Sequence, residues 1–261
     1  MASTGIALIG SGIFAKEEHL PAILAADSLS LKAIYSRSRA SVEGLASGLS
    51  EGVGKELELY SDDTEERPEY ITKALAAGKY VLAEKPIAKT WPQRALLDWI
   101  STNVPSGGPT LHCRKLPLSR LLYYAAAEIK SWAAFSVSEH LSPVDTVDAT
   151  MQLSNGASGT ASISFGTQFS GSEYAFACEK GTVVVTRAKV AVKRDGEHGE
   201  VKEFKDEGSG VKPEVAAWGK GLQEGKMDPR QSAEEGLRDL EVLEAMLTSG
   251  EKGGAPVELK L

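Results

Sequence analysis

The run Gly5-Ile6-Ala7-Leu8-Ile9-Gly10-Ser11-Gly12-Ile13-Phe14-Ala15 limits what this chain can fold into more than any other stretch. Gly5 to Ile9 reads as a short buried strand. Gly10, Gly12 and Ala15 then fill the small-residue positions of G-x-G-x-x-A, where a strand turns sharply into a helix. Gly10 permits the tight turn, Gly12 lets backbone approach a pyrophosphate, and Ala15 lets the helix pack closely on the strand. The first helical N–H groups, at Ile13 and Phe14, lack partners of their own and can meet phosphate oxygens. A plain strand–turn–helix, with glycines serving only the turn, is the competing reading. The position directly after an apolar strand favours a dinucleotide fingerprint.

The next fifty residues fit an opening of that kind. Glu17 to Ala26 continues the first helix with Leu20, Ile23 and Leu24 at helical spacing. His19, beside Pro21, reads there as a partly exposed helix histidine rather than a catalytic one. Leu29 to Tyr35 is a second strand, and it runs into Ser36-Arg37-Ser38-Arg39. An NAD-binding protein usually carries an acidic residue here for the ribose 2′-hydroxyl. Guanidinium groups suit a 2′-phosphate instead, so Ser36 and Arg37 point to NADP, the alternative being solvated loop arginines. Ser41 to Leu49 reads as a second helix and Leu57 to Ser61 as a third strand.

Composition excludes several other classes. The 261 residues carry a net charge of −7 and no long Lys/Arg run, which argues against a nucleic-acid surface. The two cysteines, Cys113 and Cys178, make no disulfide framework and lack metal-ligand spacing, so both read as buried thiols. The apolar run Ile6 to Ile9 stops at glycine and no segment approaches bilayer length, so a cytoplasmic protein without membrane contact is expected. Walker A, H-E-x-x-H and EF-hand patterns do not occur, and no metal site is expected.

The segment Tyr70-Ile71-Thr72-Lys73-Ala74-Leu75-Ala76-Ala77-Gly78-Lys79-Tyr80-Val81-Leu82-Ala83-Glu84-Lys85-Pro86 reads as a helix stopped by Gly78, then a strand ending in Glu-Lys-Pro. With the glycine turn, it resembles the Gfo/Idh/MocA family, the relatives of glucose-fructose oxidoreductase, inositol dehydrogenase and dihydrodiol dehydrogenase. The resemblance implies an N-terminal Rossmann-like parallel sheet followed by an open, mostly antiparallel sheet domain, divided as 1–118 and 119–261. It implies NADP or NAD as cofactor, Glu84 at the cofactor, and Lys85 orienting the reacting hydroxyl or carbonyl of a small-molecule substrate. It also implies a homodimer through the sheet face. The strands Asp145 to Leu153, Ala157 to Phe165, Glu173 to Cys178, Gly181 to Arg187, Lys189 to Lys193 and Val201 to Phe204 suit the second domain, with a hairpin at Asn155-Gly156. Helices are expected over Pro213 to Gln223 and Ser232 to Leu247, the second with a core stripe of Leu240, Leu243 and Leu247.

Two departures from the family pattern stand out. Between Asp63 and Arg67 there is no room for the helix and fourth parallel strand that the family places there. Its loss opens a gap in the sheet unless the strand Lys79 to Glu84 moves inward to pair with the first. Further on, a helix Leu121 to Lys130 gives way almost at once to a strand Ala133 to Glu139, leaving no place for the family's G-G-x-x-x-D-x-x-x-H segment. His112, at the end of the sixth strand, is the candidate replacement acid/base. These gaps leave three readings: an oxidoreductase, a shortened relative that binds no cofactor and performs a non-redox cyclisation or isomerisation, and a non-catalytic sensor or regulator.

Overall fold

In a computed structural model that describes residues 2–54, 56–62, 67–84, 111–113, 129–138, 145–165, 171–206 and 208–260, the opening run forms β1 (Thr4–Ile9). It pairs in parallel with β2 (Leu29–Ser36), which pairs in turn with β3 (Glu58–Ser61), in the order β1-β2-β3. A π-helical turn, Ala15–His19, runs into α1 (Leu20–Leu24) between β1 and β2. Pro21 accounts for the irregularity: it has no N–H to donate, and its ring would press on the carbonyl four residues back. The backbone widens instead, and the Leu20 N–H reaches the carbonyl of Ala15, five residues earlier. α2 (Arg39–Ala46) is capped by Ser38, whose hydroxyl accepts the Ser41 N–H. A single turn, α3 (Glu51–Gly54), precedes β3.

α4 (Arg67–Ala76) buries Ile71 and Leu75 and leads to β4 (Val81–Ala83), which pairs in parallel with β5 (Leu111–Cys113). β4 does not pair with β1. Among the described residues the parallel strands therefore fall into a ladder of three and a ladder of two. A strand at the centre of a doubly wound sheet is covered on both faces. β1 buries Leu8 but leaves Ile9 53% exposed.

Two compact units divide the described residues: 2–84, 111–113 and 208–232 form one, and 129–206 and 233–260 the other. The first therefore includes α5 (Val211–Glu224), which returns after the antiparallel strands to pack on the N-terminal core. Ile34, Val42 and Val211 are fully buried in that core beside Leu20, Ile23, Leu31 and Trp218. Each such side chain contributes about 1.5–3 kcal/mol through removal from water. α5 approaches so closely that a Cβ on Gly219 would stand 2.3 Å from Ser28 Oγ and 2.8 Å from Leu29 Cγ. The Ser209 hydroxyl donates to the Glu18 carboxylate, tying the start of α5 to the first helix.

The second unit is antiparallel. β6 (Ile129–Ser138), β7 (Thr146–Leu153), β8 (Ser158–Ser164) and the short β13 (Val257–Glu258) make one sheet, in the order β13-β6-β7-β8. The β7–β8 hairpin turns at Asn155-Gly156 as expected, with Gly156 at φ +88° and Asn155 Oδ1 accepting the Ala157 N–H at 3.0 Å. β6 begins earlier than its residue types suggest. Ile129 and Lys130 are strand rather than the end of a helix, because the ladder to β7 reaches Ile129 opposite Leu153. The helix expected over residues 121–128 lies outside the described residues. A four-stranded meander, β9 (Glu173–Cys178), β10 (Gly181–Thr186), β11 (Lys189–Arg194) and β12 (Glu200–Glu203), completes the strands. Cys178 ends β9 and is exposed, not buried.

α6 (Ala233–Glu251) covers the first of these sheets. Its buried stripe is Val242, Ala245 and Met246, packed on Ala149, Met151 and Leu153. The leucine stripe expected from the sequence is thus displaced: Leu243 is only partly buried and Leu247 is 38% exposed. Asp239 and Ser249 lie on the buried side instead, with the Ser249 hydroxyl donating to the Ala255 carbonyl at 2.7 Å.

Candidate functional site

The C-terminal end of β1 is where the chain concentrates its unusual backbone. Gly10 sits at φ +113°, a conformation open to glycine, and its N–H donates to the Tyr35 carbonyl at 2.7 Å. Ser11 Oγ donates to Ser36 Oγ at 2.7 Å, so the turn and the end of β2 are bonded twice. Gly12 has neither a positive φ nor a crowding neighbour: a Cβ there would meet nothing within 4 Å. Nothing in the packing of the described residues demands glycine at this position. The open space beside it fits the approach of a ligand to the backbone, the role the motif assigns it. Ile13 and Phe14 follow at the helix start, 76% and 41% exposed.

At the end of β2 the two arginines have different fates. The Arg39 guanidinium is taken up by Glu43 at 2.7 Å and by the Leu59 carbonyl at 2.9 Å, so it braces α2 against β3. Arg37 is exposed and makes no hydrogen bond or ion pair among the described residues. Of the pair read from the sequence, it is the guanidinium left for a phosphate. Tyr35 donates to the Asp62 carbonyl at 2.6 Å and lies 2.5 Å from the Tyr70 hydroxyl, which ties β2 to α4.

The second sequence-predicted cluster lies at the end of β4. Glu84 Oε1 accepts a hydrogen bond from His19 Nε2 at 2.8 Å, both side chains being largely removed from water. The Phe14 ring meets the His19 ring edge-on, with centroids 5.5 Å apart. Gly10, Gly12, Phe14, Ser36 and Glu84 thereby belong to one unit, with His19 as a link that residue patterns did not single out. Its signal was the spacing of Phe14, His19 and Pro21, which becomes meaningful once Pro21 is seen to widen the helix. Lys85 lies outside the described residues. His112 occupies β5, where the parallel register sets it opposite Leu82, two residues before Glu84. Among the described residues there is no group of three or more His, Cys, Asp or Glu side chains able to hold a metal ion. None of their helices is long and apolar enough to cross a membrane.

Parallel strands with a glycine-rich first turn, followed by antiparallel sheets, define a mixed α/β protein, a fold it shares with an oxidoreductase from Thermotoga maritima at a TM-score of 0.77 and 19% identity, covering 98% of each chain. Comparison with known proteins makes this specific. Residues 90–259 match the family described as "Oxidoreductase family, C-terminal alpha/beta domain" of the Gfo/Idh/MocA proteins. The chain is 31% identical to dehydrogenase FPY6 of Fusarium mangiferae, with 96% of this chain and 97% of that one covered. It therefore belongs to the Gfo/Idh/MocA oxidoreductase family. The alignment with the Fusarium relative runs over 340 positions, more than this chain's 261 residues, so the relative carries internal segments without a counterpart here.

Solved structures share the fold at low identity. An oxidoreductase from Agrobacterium radiobacter, in complex with NAD+, L-tartaric acid and magnesium, superposes with a TM-score of 0.76 at 14% identity, covering 99% of this chain and 98% of that one. A 3-ketoreductase from Actinomadura kijaniata, in complex with NADP, gives 0.66 at 19% identity, covering 95% and 97%.

Proposed function

We propose that this chain is an NADP-dependent oxidoreductase acting on a small hydroxylated or carbonyl substrate. The observation that carries the reading is the open space at Gly12, between the phosphate-ready helix start and the exposed Arg37. The N–H groups following Gly12 receive the pyrophosphate, and the Ser11–Ser36 bond holds the turn in place for it. Arg37 supplies the positive charge for a 2′-phosphate. A nicotinamide held there would supply hydride-transfer chemistry. Lys85, next in the chain after Glu84, holds the substrate oxygen by its ammonium and supplies or removes the proton as the carbonyl and hydroxyl interconvert. His112 is the candidate second acid/base.

NADPH titration of the purified protein by nicotinamide fluorescence tests this reading, together with NADPH oxidation over a panel of small ketones and aldoses. Saturable binding is expected, tighter than for NADH. Absence of binding at millimolar cofactor rejects it.

One observation favours a second reading. β1 and β4 are not joined by a backbone ladder among the described residues, and the sequence leaves little room between Asp63 and Arg67 for the strand that the family places there. A shaped cleft can promote a cofactor-free cyclisation or isomerisation by positioning alone. Turnover of a substrate that persists after exhaustive removal of NADP(H) would select that reading.

A further inference from the structure

We propose that His19 is a positioning residue that acts through Glu84, latching the first helix to the end of β4 and so setting the nicotinamide side of the cofactor cleft. The inference rests on the reading of the glycine turn as a cofactor site.

Three observations converge on it. β1 and β4 share no backbone ladder among the described residues, so no strand pairing there ties the end of β4 to the glycine turn. Leu82 packs on the first core, and the His19–Glu84 bond is a polar link at the end of the strand. A ring nitrogen donating to a carboxylate at 2.8 Å, both side chains largely removed from water, is a strong and directional contact.

The helix is also built to aim His19. Residues five apart on an α-helix point about 140° away from each other, so Phe14 and His19 could not touch across one. In a π turn, positions five apart fall on nearly the same face. Pro21 forces that turn, and the edge-on contact of Phe14 with His19 is its result. Phe14 in turn is part of the G-x-G-x-x-A run, at the helix start that receives the phosphates. The chain of contacts runs from the phosphate turn through Phe14 and His19 to Glu84.

In a Rossmann unit the adenosine lies toward the end of the second strand and the nicotinamide on the other side of the phosphate turn. Arg37 and Ser36 stand on the adenosine side, and the His19–Glu84 latch serves the other. The two halves can therefore be measured apart, using NADPH for the whole site and 2′,5′-ADP for the adenosine half alone.

The variants are His19→Ala, which removes the donor, and His19→Gln, whose amide nitrogen can still reach Glu84. Isothermal calorimetry with both ligands, beside thermal melts, supplies the readout. His19→Ala is expected to raise the Kd for NADPH about tenfold and to leave the Kd for 2′,5′-ADP within about twofold. His19→Gln is expected to restore most of the NADPH affinity. Unchanged NADPH affinity in His19→Ala overturns the inference, as does an equal loss for both ligands, which marks a general structural role. Failure of His19→Gln to improve on His19→Ala also overturns it. If wild-type protein binds neither ligand, the cofactor reading itself falls and the inference with it, and that result is distinct from the others.

Discussion

Replacing Gly12 by alanine separates what the fold needs from what a ligand needs. The added Cβ would meet no described protein atom within 4 Å, and Gly12 does not occupy a left-handed conformation. Folding stability should therefore move by no more than about 0.5 kcal/mol, as for other surface changes away from packed features. Cofactor binding should respond quite differently. On the proposed reading the methyl group would stand where a pyrophosphate oxygen approaches the backbone, and displacing that oxygen would lengthen or break at least one charge-assisted hydrogen bond. Such a bond contributes about 1.5–3 kcal/mol, and every 1.4 kcal/mol is a factor of ten in Kd. Gly12→Ala should accordingly weaken NADPH binding by roughly ten- to a hundredfold while the thermal midpoint holds. Fluorescence titration and a thermal melt on the same preparation make the measurement. Unchanged NADPH affinity with an unchanged melt would show that the turn is no phosphate cradle, and the reasoning from empty space to ligand would be wrong.

Other substitutions probe the remaining links. Arg37→Ala should raise the Kd for NADPH by about tenfold or more and leave that for NADH nearly unaltered, since on the proposed reading the lost charge serves a 2′-phosphate that NADH lacks; equal effects on both cofactors would remove Arg37 from the site. Gly219→Ala should destabilise the protein by about 1–3 kcal/mol in urea unfolding, because its Cβ would collide with Ser28 and Leu29. The Glu244 carboxyl is pushed above its ordinary range, first by burial and then by neighbouring Glu241, against a smaller opposing effect of Lys260. A carboxyl with a raised folded-state pKa favours the fold while it is protonated, below its unfolded value, and that contribution is lost as pH rises through the folded value. Glu244→Gln should therefore gain stability relative to wild type at neutral pH, with the advantage fading in acid. Denaturation curves from about pH 4 to about pH 8, spanning the carboxylate range, would expose an advantage of the opposite slope.

Much of the N-terminal unit was legible because its signals are local. A glycine at φ +113°, an apolar strand before it and a pair of arginines after the second strand each reflect a constraint set within a few residues. The Asn155-Gly156 hairpin was legible for the same reason. Residues whose fate depends on distant partners were not. Arg37 and Arg39 look alike in sequence, and only the position of Glu43 and the Leu59 carbonyl removes Arg39 from the candidate site. Leu240, Leu243 and Leu247 define a stripe by hydrophobicity, yet α6 turns Val242, Ala245 and Met246 to the sheet and satisfies Ser249 through a carbonyl six residues on.

The sequence alone thus determined the Rossmann-like opening and the family, because turn chemistry and strand periodicity are properties of contiguous residues. Tertiary structure decided the partners of β4. Among the described residues it has no ladder to β1; it pairs with β5, and its end is bonded to the first helix through His19. That outcome depends on a proline widening a helix turn and on a carboxylate 65 residues away, a pairing set by where the backbone carries each side chain and therefore not encoded in any one stretch of the chain.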